Sequence, residues 1–335
     1  MKKVLYFLAA SAAALCTIAC NKDLNQNVPV QNPEQSIEEG GRCELTVGIT
    51  GNQQTKATEW DPADEAEVNS LQILVFREES IDAYQNASSS KTATLSCTAG
   101  EREIYAVVND IDCSTVKTKT EFLAKVSSFD NLAFKGFAMI GSTTKTLPQE
   151  DTVKIDVNRL ASRVVLKKIT RETTSPGLAT LDFKVEAIWL QNVATDINFG
   201  LTATPTTWIN KMKADASPVN YVYDAVNATI AQHGKYDTEH TFFCYPNPTV
   251  DDSSVSTWCP RHTRLVVKAK LGTNTYYYPI TLPVLENNKS YEITDLTITR
   301  PGSTDPDTPV SINECDFKIN VKPWTVVPVT DGVTI

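Results

Sequence analysis

Residues 92–109, TATLSCTAGEREIYAVVN, read as two short apolar runs separated by a Gly-containing turn, Thr98-Ala99-Gly100. The pattern returns at residues 263–283, where the runs 263–271 and 275–283 bracket Gly272-Thr273-Asn274. Short runs rich in Val, Ile, Thr and Tyr suit strands, and a brief Gly turn between two of them predicts a hairpin. Comparable runs occur at residues 71–76 (LQILVF), 134–142, 152–157 and 159–169 (RLASRVVLKKI), and the second half repeats the style in LDFKVEAIWLQNV, TFFCYP and SYEITDLTIT. Strings of good helix formers are scarce. The expected fold class is all-β, with one or few short helices. One helix is expected where Thr118-Lys119-Thr120-Glu121 forms a capping box ahead of FLAKVSSF, with Phe122, Leu123 and Val126 on one face.

At 335 residues the chain can hold two domains of ordinary size. The surface-like stretch TRETTSPGLAT places a boundary near residues 170–176, giving β-sandwiches over 43–169 and 170–335. Residues 77–91 are expected as an exposed loop. Residues 201–240 form a long polar interval with little pattern, suited to insertions or an adhesive loop.

Residues 43–50, CELTVGIT, stand apart from this scheme. Leu45, Val47 and Ile49 alternate with Glu44, Thr46 and Gly48, the period of a strand with one buried face. Before it lies a polar stretch, and after it GNQQTKATEWDPADE, without apolar periodicity. A first strand tethered by soft linkers could be cut free without breaking the rest. From the residues alone, an ordinary N-terminal edge strand is the alternative. The other end has its own peculiarity. In residues 315–335, Phe317, Ile319 and Val321 alternate, Lys322-Pro323 is expected to break the strand, and Trp324, Val326, Val327, Val329 and Val333 form a second apolar set. Such a terminal strand either folds back on its own sheet or adds to the sheet edge of a neighbour.

Residues 1–19 carry targeting information. Lys2 and Lys3 precede a short apolar run over residues 4–15, and Thr17-Ile18-Ala19-Cys20 resembles a bacterial lipoprotein signal, with Thr17 where Leu is common. On that reading Cys20 is lipidated, and residues 20–42 are a polar tether. The alternative is a plain secretory signal with a chance Cys.

A net charge of −9 without an extended basic run makes nucleic acid an unsuitable partner. Three histidines, His233, His240 and His262, are scattered, so no metal site and no cofactor is expected. Acid pairs such as Asp251-Asp252 and Glu38-Glu39 lie in loop-like stretches, and no nucleophile motif or phosphate loop is evident, so the chain is not read as an enzyme. Five tryptophans are dispersed, which suits core positions better than a glycan platform. Export permits disulfides. Cys244 and Cys259 flank a Pro/Asp/Ser-rich connection and are the favoured pair; Cys97 with Cys113 is a weaker one, and Cys43 with Cys315 would lock the first strand in place.

Taken together, Cys20-Asn21-Lys22-Asp23, ADEAEVNSLQILVF at 63–76, CTAGEREIYAVVN at 97–109, RLASRVVLKKI at 159–169, YEITDLTITRPGSTDPDTPV and KPWTVV at 322–327 resemble the fimbrillin family, the type V pilins of Bacteroidales. The resemblance implies two tandem transthyretin-like β-sandwich domains, lipoprotein export to the outer membrane through the lipid on Cys20, and a mature form in a cell-surface fimbria that contributes to adhesion. It further implies a trypsin-like maturation protease that cuts after the first strand. The C-terminal strand of the next copy then fills the vacated groove, building a head-to-tail polymer. Leu45, Val47 and Ile49 would be the outgoing plugs. Trp324, Val326, Val327, Val329 and Val333 would belong to the incoming donor. Family members commonly present Arg to the protease; here the favoured cleavage is between Lys56 and Ala57, with Arg42 and Cys43 as the weaker alternative and Arg102 expected to be protected. A fimbrial tip or accessory adhesin that is not cleaved, a surface glycan-binding lipoprotein and an exported enzyme remain competing functions, and the surface receptor is not specified.

Overall fold

The computed structural model describes residues 39–50, 67–129, 136–215, 218–251, 257–310 and 314–324. Their regular secondary structure is nearly all strand. In chain order the first half contains β1 (Arg42–Thr50), β2 (Ser70–Arg77), β3 (Ser80–Ser88), β4 (Thr92–Thr98), β5 (Gly100–Val108), helix α1 (Lys119–Ala124), β6 (Val126–Ser128), β7 (Met139–Leu147), β8 (Glu150–Asp156) and β9 (Asn158–Arg159). Two sheets face each other, one ordered β4-β1-β8 and the other β3-β2-β5-β7-β9. Leu45, Val47, Leu95, Val153 and Ile155 of the first sheet meet Leu71, Ile73, Val75, Ile104 and Ala106 of the second in one core.

The unbroken run LQILVF has a physical reason in this arrangement. Leu71, Ile73 and Val75 point into the sandwich, while Leu74 and Phe76 point the other way into a second cluster with Phe122 of α1. A strand covered on both faces needs no polar alternation. Gln72 shares the outer face, where its amide donates to the Ile111 carbonyl at 2.9 Å and its carbonyl oxygen accepts from the Cys113 amide at 2.8 Å.

Three local expectations are corrected here. Residues 92–97 and 102–109 do not form a hairpin: β4 lies in one sheet and β5 in the other. The chain crosses between sheets at Ala99-Gly100, where Gly100 has φ +115°, a conformation that favours glycine. Residues 77–91 are not an exposed loop, because β3 pairs with β2 through a tight turn at Glu78 (φ 52°). Its sequence, SIDAYQNAS, lacks an apolar run because it is a half-exposed edge strand. The helix ends at Ala124. Thr118 caps it by accepting from the Glu121 amide at 3.1 Å, but Glu121 accepts from Lys117 rather than completing the reciprocal bond. Val126, expected on the helix face, is 45% exposed and belongs to β6.

The second half contains β10 (Ser162–Leu166), β11 (Ile169–Arg171), helix α2 (Pro176–Ala179), β12 (Phe183–Gln191), β13 (Val193–Ala194), β14 (Asp196–Asn198), β15 (Trp208–Ile209), β16 (Tyr223–Thr229), β17 (Lys235–Tyr236), β18 (His240–Cys244), β19 (Arg264–Leu271), β20 (Asn274–Thr281), β21 (Lys289–Ile298) and β22 (Cys315–Pro323). One sheet runs β17-β11-β21-β10-β18, with β22 also on β21, and the other runs β16-β12-β19-β20. Their shared core includes Val164, Leu166, Val185, Ile188, Leu265, Val267, Ile280 and Ile293. The expected hairpin at residues 263–283 is present: Leu271 faces Asn274 across a turn in which Gly272 has φ +59°. Residues 201–240 are built in more than expected, since β16 forms the edge beside β12.

Strand pairing shifts the expected boundary. RLASRVVLKKI does not close the first sandwich, because β10 and β11 both pair with β21. The change of sandwich falls between β9 and β10. The halves are also stitched together. β6 pairs with β14, and the cluster outside β2 and β5 takes Ala194, Ile197, Phe199, Trp208 and Tyr245 from the second half.

Asp110 lies beside this seam. Burial pushes its carboxyl up to about 6, against hydrogen bonds from Ser127 and the Ile111 amide, and its Oδ2 is buried without a hydrogen-bond partner. A carboxyl raised in the native state binds its proton more tightly there than in the unfolded chain. Its contribution is therefore greatest below the unfolded value and is lost as pH rises through about 6. Asp110→Asn should be more stable than the wild type at pH 7.5 by about 1–3 kcal/mol, with the gap closing near pH 4. Urea melts of both proteins across that range measure it; a constant gap would contradict the assignment.

Candidate functional site

The first strand is not an edge strand. β1 lies in the middle of its sheet, antiparallel to β4 from Arg42 opposite Thr98 to Gly48 opposite Thr92. On its other side it runs parallel to β8, from Glu44 beside Glu150 to Thr50 beside Asp156. The chain outside the strand extends the ladder. The Gly40 amide donates to Ala99 at 3.1 Å, the Glu44 amide to Gln149 at 2.9 Å and the Ile49 amide to Lys91 at 3.0 Å.

The alternation legible in the sequence is realised. Cys43, Leu45, Val47 and Ile49 are buried in the core. Glu44, Thr46 and Gly48 face outward, where the Thr46 hydroxyl meets that of Thr94 at 3.0 Å. Taking β1 away would therefore uncover an edge of β4, an edge of β8 and a row of apolar sockets at once. Each uncovered amide and carbonyl on those edges would need a new partner.

Lys56 and Ala57 lie outside the described residues. Arg42 is exposed but sits within the ladder, its Nε donating to Ser96 Oγ at 3.1 Å, and Cys43 beside it is fully buried. A protease needs an extended, unpaired backbone, so cutting at Arg42 requires the strand to unzip first. Arg102 is 1% exposed. Its Nε donates to Asp82 Oδ2 at 3.1 Å, and its Nη2 to the Ala99 carbonyl at 2.7 Å, beneath the crossing between sheets. The expectation of protection at Arg102 is met by burial.

Val326, Val327, Val329 and Val333 also lie outside the described residues. Trp324 does not: it is 2% exposed and packed within its own chain. Its ring lies 5.0 Å from Phe137 and stacks on Phe243 at 5.4 Å, with the Arg159 guanidinium over its face at 4.6 Å. Phe137 and Arg159 come from the first half, Phe243 from the second. Lys322-Pro323 does not end the strand early: β22 runs through Pro323 as an outer strand on β21, a position where a missing N–H is tolerated. Lys322 also bonds Glu292 at 2.7 Å, with Lys167 at 3.0 Å on the same buried carboxylate. Burial raises that carboxyl, but the two ammonium groups outweigh it and hold it below the ordinary range.

None of the cysteine pairs expected from spacing is brought together. All six described cysteines are unbonded thiols. Cys244 is in the core of the second sandwich, while Cys259 sits half-buried near Asp251 at 3.8 Å. Cys43 and Cys97 belong to the first core, Cys113 to the seam and Cys315 to the second core. Cys43 instead faces Cys97 across the β1–β4 ladder. Spacing could not reveal this pair because residues 92–109 resemble a hairpin. The available signal was phase: Cys97, Leu95 and Ala93 alternate as Cys43, Leu45 and Val47 do.

Among the described residues no group of three His, Cys, Asp or Glu is placed to hold a metal ion. His240 is instead held between Asp224 at 2.6 Å and the Tyr236 hydroxyl at 3.0 Å.

Residues 42–174 match the family model described as major fimbrial subunit protein (FimA). A major fimbrium subunit FimA type-2 of Porphyromonas gingivalis is 22% identical, with 98% of each chain covered. The chain is thus similar to the Bacteroidales fimbrillins. Among solved structures, a fimbrilin of Porphyromonas gingivalis has the same fold at a TM-score of 0.61 and 15% identity, covering 85% of this chain and 98% of that one. A candidate cell adhesion protein from Bacteroides eggerthii superposes at a TM-score of 0.64 and 18% identity, over 87% and 98% of the respective chains. The family match begins at Arg42, the first residue of β1, and runs past β11, so it takes in the whole β4-β1-β8 sheet.

Proposed function

We propose that this chain is a structural subunit of a cell-surface fimbria, working by assembly rather than catalysis. The precursor is exported as a lipoprotein on Cys20, cut between Lys56 and Ala57, and stripped of β1. The last residues of the next copy then occupy the seat between β4 and β8. The observation that carries this reading is the central place of β1: a strand near the chain start is flanked on both sides by strands from later in the sequence.

The incoming segment is residues 325–335. Val327, Val329 and Val333 share one parity, as do Leu45, Val47 and Ile49, so they suit the same sockets. Val326 has the opposite parity, and Trp324 acts as the root of the donor rather than as one of its plugs. A donor strand of this kind is held by main-chain bonds along two edges and by alternate side chains. Its geometry is head-to-tail and does not close, so copies add without limit.

Treating the purified precursor with a Lys-specific protease should release a fragment ending at Lys56 and yield heat-resistant ladders on a gel. A chain lacking residues 325–335 should fold as the precursor and be cut by the protease, yet give no ladder. Cleaved wild-type protein that stays monomeric, or a truncated chain that still polymerises, would sink the proposal.

A further inference from the structure

Cys43 is fully buried on β1, and Cys97, 5% exposed, lies directly opposite on β4. Both side chains point into the same core. Directly opposed residues of an antiparallel pair have Cα atoms about 4.5–5.5 Å apart, within the span a disulfide requires. The other described cysteines occupy different clusters or the surface, so none is placed to compete. A buried cysteine commonly serves as a small apolar side chain. Two in register across the joint that holds β1 can do more.

We propose that Cys43 and Cys97 form a reversible disulfide site that latches β1 onto β4 in the precursor. This rests on the proposed exchange of β1, because a bond there matters only if the strand is meant to leave. The chemistry balances with a disulfide oxidant of the dithiol–disulfide exchange class. Both thiols lose their protons, one sulfur–sulfur bond forms between Cys43 and Cys97, and the oxidant's disulfide takes the two electrons and two protons to become a dithiol. A dithiol reductant reverses the step. Burial raises both thiols, Cys97 to about 12, so little thiolate exists in the closed sandwich. The bond therefore forms while the chain folds after export and, once made, is shielded from casual reduction.

The latch marks the precursor alone. Residues 325–335 contain no cysteine, so the incoming donor cannot remake the bond. Cutting after Lys56 would not release an oxidised strand, and assembly would wait for reduction.

The test uses the full-length precursor in detergent, refolded with oxidised or reduced dithiothreitol and then alkylated. Mass spectrometry of the oxidised sample should find a peptide pair joining Cys43 to Cys97, two hydrogens lighter than the separate thiols. After Lys-specific cleavage, the strand-bearing fragment should stay with the body on a non-reducing gel and leave once dithiothreitol is added. Ladders should be lost in the oxidised sample and recovered on reduction. Cys43→Ser should release its fragment under both conditions. The latch is refuted if Cys43 and Cys97 are both found alkylated after oxidation, or if the linked fragment departs as fast as the reduced one. The peptide measurement needs no variant, so poor folding of Cys43→Ser leaves it decisive. If reduced protein and Cys43→Ser both release the strand but never polymerise, the fimbrial reading fails while the latch stands.

Discussion

Once cut after Lys56 and stripped of β1, the first sandwich should no longer hold together by itself. Leu45 and Val47 are fully buried and Ile49 nearly so. Removing such side chains forfeits about 1.5–3 kcal/mol each, a total comparable with the roughly 5–15 kcal/mol that stabilises a whole domain. The stripped β4 and β8 edges add unpaired backbone groups. Circular dichroism of the stripped protein should show the first cooperative transition lost or shifted below room temperature, with dye binding to exposed apolar surface. A synthetic peptide of residues 325–335 should restore the transition, and the same peptide with Val327→Asp and Val329→Asp should not. If the stripped protein melts where the intact chain does, β1 is an accessory strand and exchange has nothing to drive it.

Asp82→Ala should strongly destabilise the first sandwich. Asp82 is the charge partner of Arg102, which is almost completely buried. The same carboxylate accepts from the Thr98 amide at 2.9 Å and from its hydroxyl. Removing it leaves a guanidinium buried among carbonyls at the point where the chain passes between sheets. Breaking one partner from a buried pair costs about 3–5 kcal/mol. Asp82→Asn, which keeps the hydrogen-bond acceptor but not the charge, should lose less. Urea unfolding of the two variants measures the difference; equal losses would mean that the charge of Asp82 is immaterial.

Much of this molecule was legible because strand alternation is a short-range signal. The core positions of β1 and the hairpin of β19 and β20 follow from local periodicity and a glycine turn. What misled was connection geometry. Thr98-Ala99-Gly100 looks the same whether the chain folds back beside itself or crosses to a facing sheet. Likewise β10 and β11 continue the apolar style of the strands before them, so nothing local says that their partner is β21, more than a hundred residues later. The site was half visible. Leu45, Val47 and Ile49 declared their face, but their neighbours β4 and β8, and the opposition of Cys43 and Cys97, depend on pairings that sequence order conceals.

The packing of Trp324 bears on how a filament of such subunits would respond to being pulled. In the proposed fibre, tension would enter each copy through its tail, at Trp324. That residue does not hang from a linker. Its indole is gripped by rings and guanidinium groups drawn from both halves of the chain. Force arriving there is divided between the two sandwiches at once, so neither is drawn away from the other before this joint itself gives way.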